Sequence, residues 1–512
     1  MKKNLIISYD LGTSGNKATL FDSEGNLLSS SFKSYDTYYP NPGWAEQNPA
    51  DWWRSVKDST SDLLEKVPEA KRSLAAVSFS GQMMGCCPIN KNGEPLFNAI
   101  TVSDQRAYKE KELLKKIITD EISYKKTGNV VCANYLAAKI MWLKNNFPDV
   151  YKNTYKFLQA KDYIAYVLTG EVFTDYSDAS GTNLFDLNTK TWNDEIINAA
   201  DIIKDKLPEP VPSTTIIGNV RKELTEEICL PTGLPVVIGG GDGPCATVGA
   251  GATAPNSCYN IFGSSSWTSA TTSKPLFDKS MRTFILNHLD PELYMAVGAM
   301  QSAGSSLEWL IDWIADCEKI IAKRIGKSIY EILDEIGLQA EEGSKGVIFL
   351  PYLMGERAPY WDTEVKGAFL GLTRVSGKKE LVRSVLEGVV FHLRLILEVL
   401  EENMGTISEI RLIGGGGKSI FLQKLMANIW GKKIIPMKFM EEATSIGAAV
   451  AALVALGIKK SFYEAETFIK KSKEVEPEYD KYKKYSEFYK IFTAAYYDLK
   501  KINKAIDKLI KD

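Results

Sequence analysis

Four times in this chain an apolar, strand-like run breaks directly into a loop of glycine, serine and aspartate. Asp10-Leu11-Gly12-Thr13-Ser14-Gly15-Asn16-Lys17 follows LIISY, residues 239–243 follow LPVVI, Gly263-Ser264-Ser265-Ser266 follows CYNIF, and residues 414–417 follow EIRLI. Open α/β sheets bind ligands at the carboxyl ends of their strands, so four such loops point to an α/β chain whose loops line one cleft. Each loop alone reads equally well as a tight turn. Together they describe a phosphate site, with amides and hydroxyls aimed at phosphate oxygens and Lys17 supplying positive charge. Asp10 and Asp242, both at strand ends, can hold a magnesium ion bound mainly through water and phosphate. The last loop, in RLIGGGGKSI, imitates a Walker A motif, but the glycine required five places before Gly417 is Leu412. What remains is a glycine turn between a strand at 409–413 and a helix at 419–430, where backbone can approach a flat or anionic ligand closely.

At 512 residues the chain exceeds what one core usually holds, so two large domains are expected, with a boundary near residue 250. Each half opens alike. LIISYD, KATLFD and NLLSSSF read as strands, with Glu24-Gly25-Asn26 as a hairpin turn, and CYNIFGSSSWTSATTS with YMAVGAM repeats the theme. Residues 461–512, rich in Lys, Glu and Tyr, are expected to pack as surface helices without chemistry.

With 62 basic against 64 acidic side chains, the net charge of -2 gives no reason to expect nucleic acid or an anionic membrane as partner. No run approaches eighteen apolar residues, and MKKNLIISYDLG reads as a first strand, not an export signal. Seven cysteines without a CxxC pair and two distant histidines argue against zinc. Unpaired thiols of this kind suggest the cytoplasm. Adjacent Cys86 and Cys87 read as core or as a redox pair, His392 as a satisfied structural histidine, and Glu356-Arg357 as an ion pair pinning a loop.

The order of the motifs carries a resemblance. DLGTSGNKATLFD, PGWAEQNPADWW, SGQMMG, KDYIAYVLTGE, TDYSDASGTNLFD, FLPYLMGERAPYWDTEVKGAFLGLT and ATSIGAAVAALVALG together resemble the FGGY carbohydrate kinases, of the sugar kinase, heat-shock cognate and actin superfamily. The resemblance covers nearly the whole chain. It implies two actin-like (ribonuclease H-like) ATPase domains flanking a catalytic cleft: residues 1–250 with the sugar site, first phosphate loop and catalytic aspartate, 251–460 with the nucleotide site, and 461–512 as terminal helices. It implies ATP and Mg2+. Gly12, Thr13, Ser14, Lys17, Gly263, Ser264 and Ser265 then serve the triphosphate, Gly304 borders the nucleotide, and Gly415 and Gly416 lie against adenosine. Asp242 in GGGD matches the general base, with Asp10 beside it for metal; its alternative is a helix N-cap. Trp44, Gln82, Met83, Met84, Asp104 and Asp242 match sugar-binding positions.

Of four departures from the xylulokinase branch, the most similar-looking, the first three bear on the substrate and the fourth lies on the phosphate side. Met84 stands where those kinases carry histidine, and methionine makes no strong hydrogen bond to a hydroxyl. Val102 replaces a tryptophan, Gly243 an asparagine, and FGSSSW the usual GTSG. The expected activity is therefore ATP-dependent phosphorylation of a ketopentose such as D-xylulose. Ribulose, gluconate, erythritol or glycerol are alternatives within the family, and a nucleotide switch or a degenerate sugar sensor outside enzymology. A small-molecule sugar is the expected partner, and a homodimer is compatible with everything above.

Overall fold

The computed structural model describes residues 4–464 and 468–511. Strand β1 (Leu5–Leu11) is apolar almost throughout because it is central and covered on both faces. It pairs antiparallel with β2 (Gly15–Asp22), which turns through Gly25 into β3 (Leu27–Ser34). Helix α1 (Pro49–Lys66) starts where Asn48 accepts the Ala50 N–H and proline occupies the first turn; Trp52, Val56 and Leu63 on its buried face join the core of this sheet. Strand β4 (Leu74–Gly81) then runs parallel to β1, placing Ser80 opposite Asp10. Helix α2 (Leu136–Asn146) belongs to a lobe inserted before β5 (Ile216–Asn219) and β6 (Pro235–Val237). The sheet order is β5-β6-β4-β1-β2-β3, with the two-residue strand Gly240–Gly241 added beside β4. Helix α3 (Asp242–Gly249) closes this half.

The second half repeats the plan. Strands β7 (Cys258–Phe262), β8 (Ser266–Thr272), β9 (Phe284–Asn287) and β10 (Tyr294–Met300) form antiparallel pairs. After helices α4 (Gly304–Ile314) and α5 (Lys378–Met404), strand β11 (Glu409–Ile413) lies parallel to β7. Helix α6 (Ile420–Trp430), strand β12 (Lys433–Pro436) and helix α7 (Ala443–Ala455) follow. The order β9-β10-β8-β7-β11-β12 mirrors the first sheet from its centre outward.

Helices α3 and α7 pack on each other between the sheets, in one apolar cluster shared by both halves. Their contact is backbone on backbone. A Cβ on Gly249 would fall 1.8 Å from the Ala443 carbonyl oxygen, and one on Gly447 2.0 Å from that of Cys245. The C-terminal segment packs on the second half as a surface helix, as expected. It forms one long helix, α8 (Tyr479–Lys511), whose Tyr485, Phe492 and Tyr496 are part of the second core. Tyr485 also hydrogen-bonds the buried Arg383 and Glu387.

Candidate active site

The β1–β2 hairpin closes with Gly12 N–H donating to the Gly15 carbonyl at 3.0 Å. Its outer side is bracketed: the Gln47 amide donates to the Thr13 carbonyl at 2.7 Å, and Tyr35 donates its hydroxyl to the Gly12 carbonyl. Gln82 belongs to the same bracket, since its amide nitrogen meets the Gly12 carbonyl at 3.3 Å and Gln47 at 2.7 Å. The structure thus uses Gln82 to shape the loop, and its side-chain oxygen is buried and unpaired. Asp10 and Lys17 stand opposite each other on the hairpin. Both reach across to α7. The Thr444 hydroxyl donates to Asp10 at 2.7 Å, and Lys17 donates to the Glu441 carbonyl at 3.0 Å with the Glu442 carboxylate 3.7 Å away.

The second aspartate arrives by a glycine path. Gly239 has φ of +65°, and a Cβ there would lie 1.9 Å from the Phe79 carbonyl; only glycine allows this close turn beside β4. Gly241 N–H is held by the Ser177 hydroxyl at 3.0 Å. Asp242 is then the first residue of α3, whose N-cap is Gly241, so the carboxylate is not a cap. It accepts the Gly243 N–H at 2.7 Å. Burial, and after it the charge of Asp10, push its carboxyl up to about 7, well matched to accepting a proton near neutral pH. The other Asp10 oxygen is buried without a hydrogen-bond partner. Two neighbouring carboxylates with an orphaned oxygen suit a hard dication that keeps most of its water.

A cavity of about 800 Å3 lies in the second half, lined by Gly263, Ser264, Gly304, Gly415, Gly416 and Glu441 among others. The loops are packed tightly at one end: Gly304 N–H meets the Gly263 carbonyl at 2.9 Å, and a Cβ on Gly304 would lie 2.6 Å from that oxygen. Ser265 closes the turn by accepting the Gly263 N–H. Leu307, Leu338, Ile420 and Phe421 give the cavity apolar walls. Lys418 pairs with Glu441 at 2.8 Å, in keeping with a lysine that is no part of a Walker motif. Glu441 lines the cavity and its carbonyl accepts the Lys17 ammonium, so this edge of the cavity adjoins the first hairpin.

The expected sugar positions divide. Met83 is buried against Leu286, Met295 and Val297 of the other half, with Met84 beside it; Met84 has φ of +66°, a left-handed conformation unusual for a residue with a side chain. Asp104 is a correction. It is fully buried, and its oxygens accept the Ala45 N–H at 2.6 Å and the Arg106 fork at 2.7–3.0 Å, so it anchors the wall instead of facing a ligand. Trp44 is half-buried with the Arg106 guanidinium 3.8 Å from its ring centre. A residue the sequence did not single out, Trp267, packs in the cluster with Met83 and Met84. Its indole donates to Tyr259 at 2.8 Å, and Tyr259 donates to the Gly243 carbonyl at 3.2 Å. The second half thus brings an aromatic side chain against the two methionines. Its only sequence signal was an aromatic in an atypical phosphate-loop motif.

Among the other candidates, His392 is satisfied, its ring 2.9 Å from the Ala358 carbonyl. The Glu356-Arg357 ion pair is not formed. Glu356 accepts the main-chain N–H groups of Gln301 and Arg357, each at 2.7 Å, and faces His392, while Arg357 donates to the Gln301 side chain. Cys86 and Cys87 are buried, and burial raises the Cys86 thiol to about 12, which removes the thiolate a redox pair needs. No group of three metal-ligating side chains occurs among the described residues.

Residues 5–249 match the N-terminal domain and residues 258–456 the C-terminal domain of the FGGY family of carbohydrate kinases. The chain belongs to that family. It is 30% identical over 503 residues to a xylulose kinase of Staphylococcus epidermidis, covering 98% of each chain. It is 30% identical over 489 residues to a gluconokinase of Bacillus licheniformis, covering 95% of this chain and 94% of that one. The structure of a ligand-bound xylulose kinase from Lactobacillus acidophilus matches with a TM-score of 0.89 at 29% identity, over 97% of this chain and 98% of the other.

Proposed function

We propose that this protein transfers the γ-phosphate of ATP to a hydroxyl of a ketopentose, D-xylulose first, with another polyol or a sugar acid such as gluconate as the alternative. The observation that carries the reading is Asp242: a carboxyl held near 7, beside Asp10, where the glycine path, the Lys17 hairpin and the methionine–tryptophan wall converge. Phosphoryl transfer asks for positioning, charge neutralisation and the removal of one proton. Asp242 accepts that proton as the sugar oxygen attacks, a contribution of about 10²–10⁴-fold. The amides of the Gly12 and Gly263 turns and the Lys17 ammonium hold the phosphate oxygens, once Lys17 exchanges the Glu441 carbonyl for them. Asp10 and Asp242 would hold Mg2+, which supplies charge neutralisation at the phosphates. Gly415 and Gly416 flank the adenosine, and Trp267 with Met84 walls the sugar. The unpaired thiols support a reducing compartment, the cytoplasm, for the reaction.

The test is a coupled ADP-release screen over ketopentoses, polyols and aldonic acids. ATP consumption should appear only when sugar is present, with D-xylulose the best substrate of the set. ADP release that ignores every sugar would favour a nucleotide switch. Sugar binding without ADP release would favour a sensor.

A further inference from the structure

Lys139 projects from α2 with its side chain fully buried. Its ammonium donates to the Met84 carbonyl at 2.7 Å and to the Thr101 carbonyl at 2.8 Å. Neither partner is a carboxylate, and the nearest acid, Asp104, is already committed to Ala45 and Arg106. Burying a cation between neutral carbonyls is costly, and a methionine of similar length would fill the space without that cost. What the cation holds explains its presence. Met84 is left-handed, a strained state for a residue with a Cβ. Thr101 precedes Val102, whose carbonyl accepts the Asn134 amide at 2.7 Å. Residues 82–84 and 99–104 are separate segments, and Lys139 is bonded to both.

We propose that Lys139 is a positioning residue for the sugar pocket, its ammonium clamping the Met84 and Thr101 carbonyls and so setting the affinity for sugar. This rests on the reading that those two segments wall the sugar site. The groups around the ammonium are Cys86, Asp104 and Cys132, which favour its charge, and Arg106, which opposes it; burial dominates and lowers the amine to about 8. The charged form is therefore lost as pH rises through about 8, and the clamp weakens on the alkaline side.

Two measurements test this with the best sugar from the screen. First, sugar and ATP KM values are taken from about pH 6.5 to 9.5 for wild type and Lys139→Met. Wild type should show a rising sugar KM above pH about 8 with a flat ATP KM. Lys139→Met should have a sugar KM raised roughly tenfold or more at neutral pH, with the alkaline rise gone. A folded Lys139→Met with sugar KM within about twofold of wild type, or one that keeps the alkaline rise, overturns the proposal. Second, because Lys139→Met could fail to fold, wild-type protein labelled at lysine Cε is titrated by NMR with and without saturating sugar. Reciprocity requires sugar to raise the Lys139 titration midpoint; an unmoved midpoint overturns the proposal. If no sugar is phosphorylated at all, the kinase reading fails; if phosphorylation is normal and the Lys139 titration is uncoupled, only the clamp fails.

Discussion

The β1–β2 and β7–β8 hairpins occupy the same place in their sheets and close with the same short bond, Gly12 to Gly15 and Gly263 to Ser265, each at 3.0 Å. Their facing pairs are opposites. Asp10 stands across from Lys17 in the first hairpin, and Ile261 across from Trp267 in the second. The helices that follow the parallel strands diverge in the same way: α3 begins with Asp242, whereas α7 is preceded by Glu442, which faces Lys17. One architecture used twice therefore divides the work. The proposed charge chemistry, at Asp10, Lys17 and Asp242, falls in the first half, while the second carries small loops, an apolar cavity and Trp267.

The largest test of that division compares the two helix starts. Asp242→Asn should lower kcat by about two to four orders of magnitude with ATP binding nearly unchanged, because the proton acceptor is lost while Asp10 and the phosphates still hold the metal. Glu442→Gln, at the corresponding place, should change kcat by no more than about fivefold, the scale of a partly exposed ion pair. Single-turnover kinetics with isothermal ATP titration reads both, and comparable losses would break the comparison. Next come the hairpins. Lys17→Met should reduce kcat/KM for ATP roughly 10- to 100-fold, the range of a charge-assisted hydrogen bond. Trp267→Phe should instead move the sugar KM and leave the ATP KM within about twofold, since only ring size and one indole donor change. Steady-state kinetics in which Trp267→Phe damages ATP use as much as Lys17→Met would place the second hairpin in the charge chemistry. The smallest effect concerns Met84. Met84→His should raise kcat/KM for D-xylulose relative to other sugars by about two- to tenfold, one neutral hydrogen bond. A wild type already strongly selective for D-xylulose, and harmed by the change, would make the methionine a packing element.

What could be read from sequence follows from distance along the chain. The strand ends, the Gly25 turn, the failed Walker motif and the strand 409–413 are local matters of apolar runs and glycines, and the structure has them where the residues suggested. The fate of Asp104 and Gln82 was not local. Each is a polar residue at a motif position, and only the fold shows that Ala45, Arg106 and Gln47 take up their hydrogen bonds. Thr444 on Asp10, and Glu441 on Lys17, join residues more than four hundred positions apart in sequence, and no periodicity reports such pairs. The terminal helix was legible as a surface helix, but not which residues dock it. Its many lysines mark a solvated face, while Tyr485, Phe492 and Tyr496 form the stripe that enters the core.

The crossing of α3 and α7 has a mechanical consequence. Side chains that interdigitate act as gear teeth and permit only discrete settings, whereas Gly249 against Ala443 and Gly447 against Cys245 leave smooth backbone surfaces in contact. At those two points the crossing offers a sliding contact. Asp242 rides at the start of one shaft and Thr444, which holds Asp10, at the start of the other. Asp10 and Asp242 both ride on the first half, so rolling one shaft on the other keeps their spacing and instead changes the reach of Thr444 to Asp10 and of Lys17 to Glu441, the two bonds that tie the hairpin to the second half.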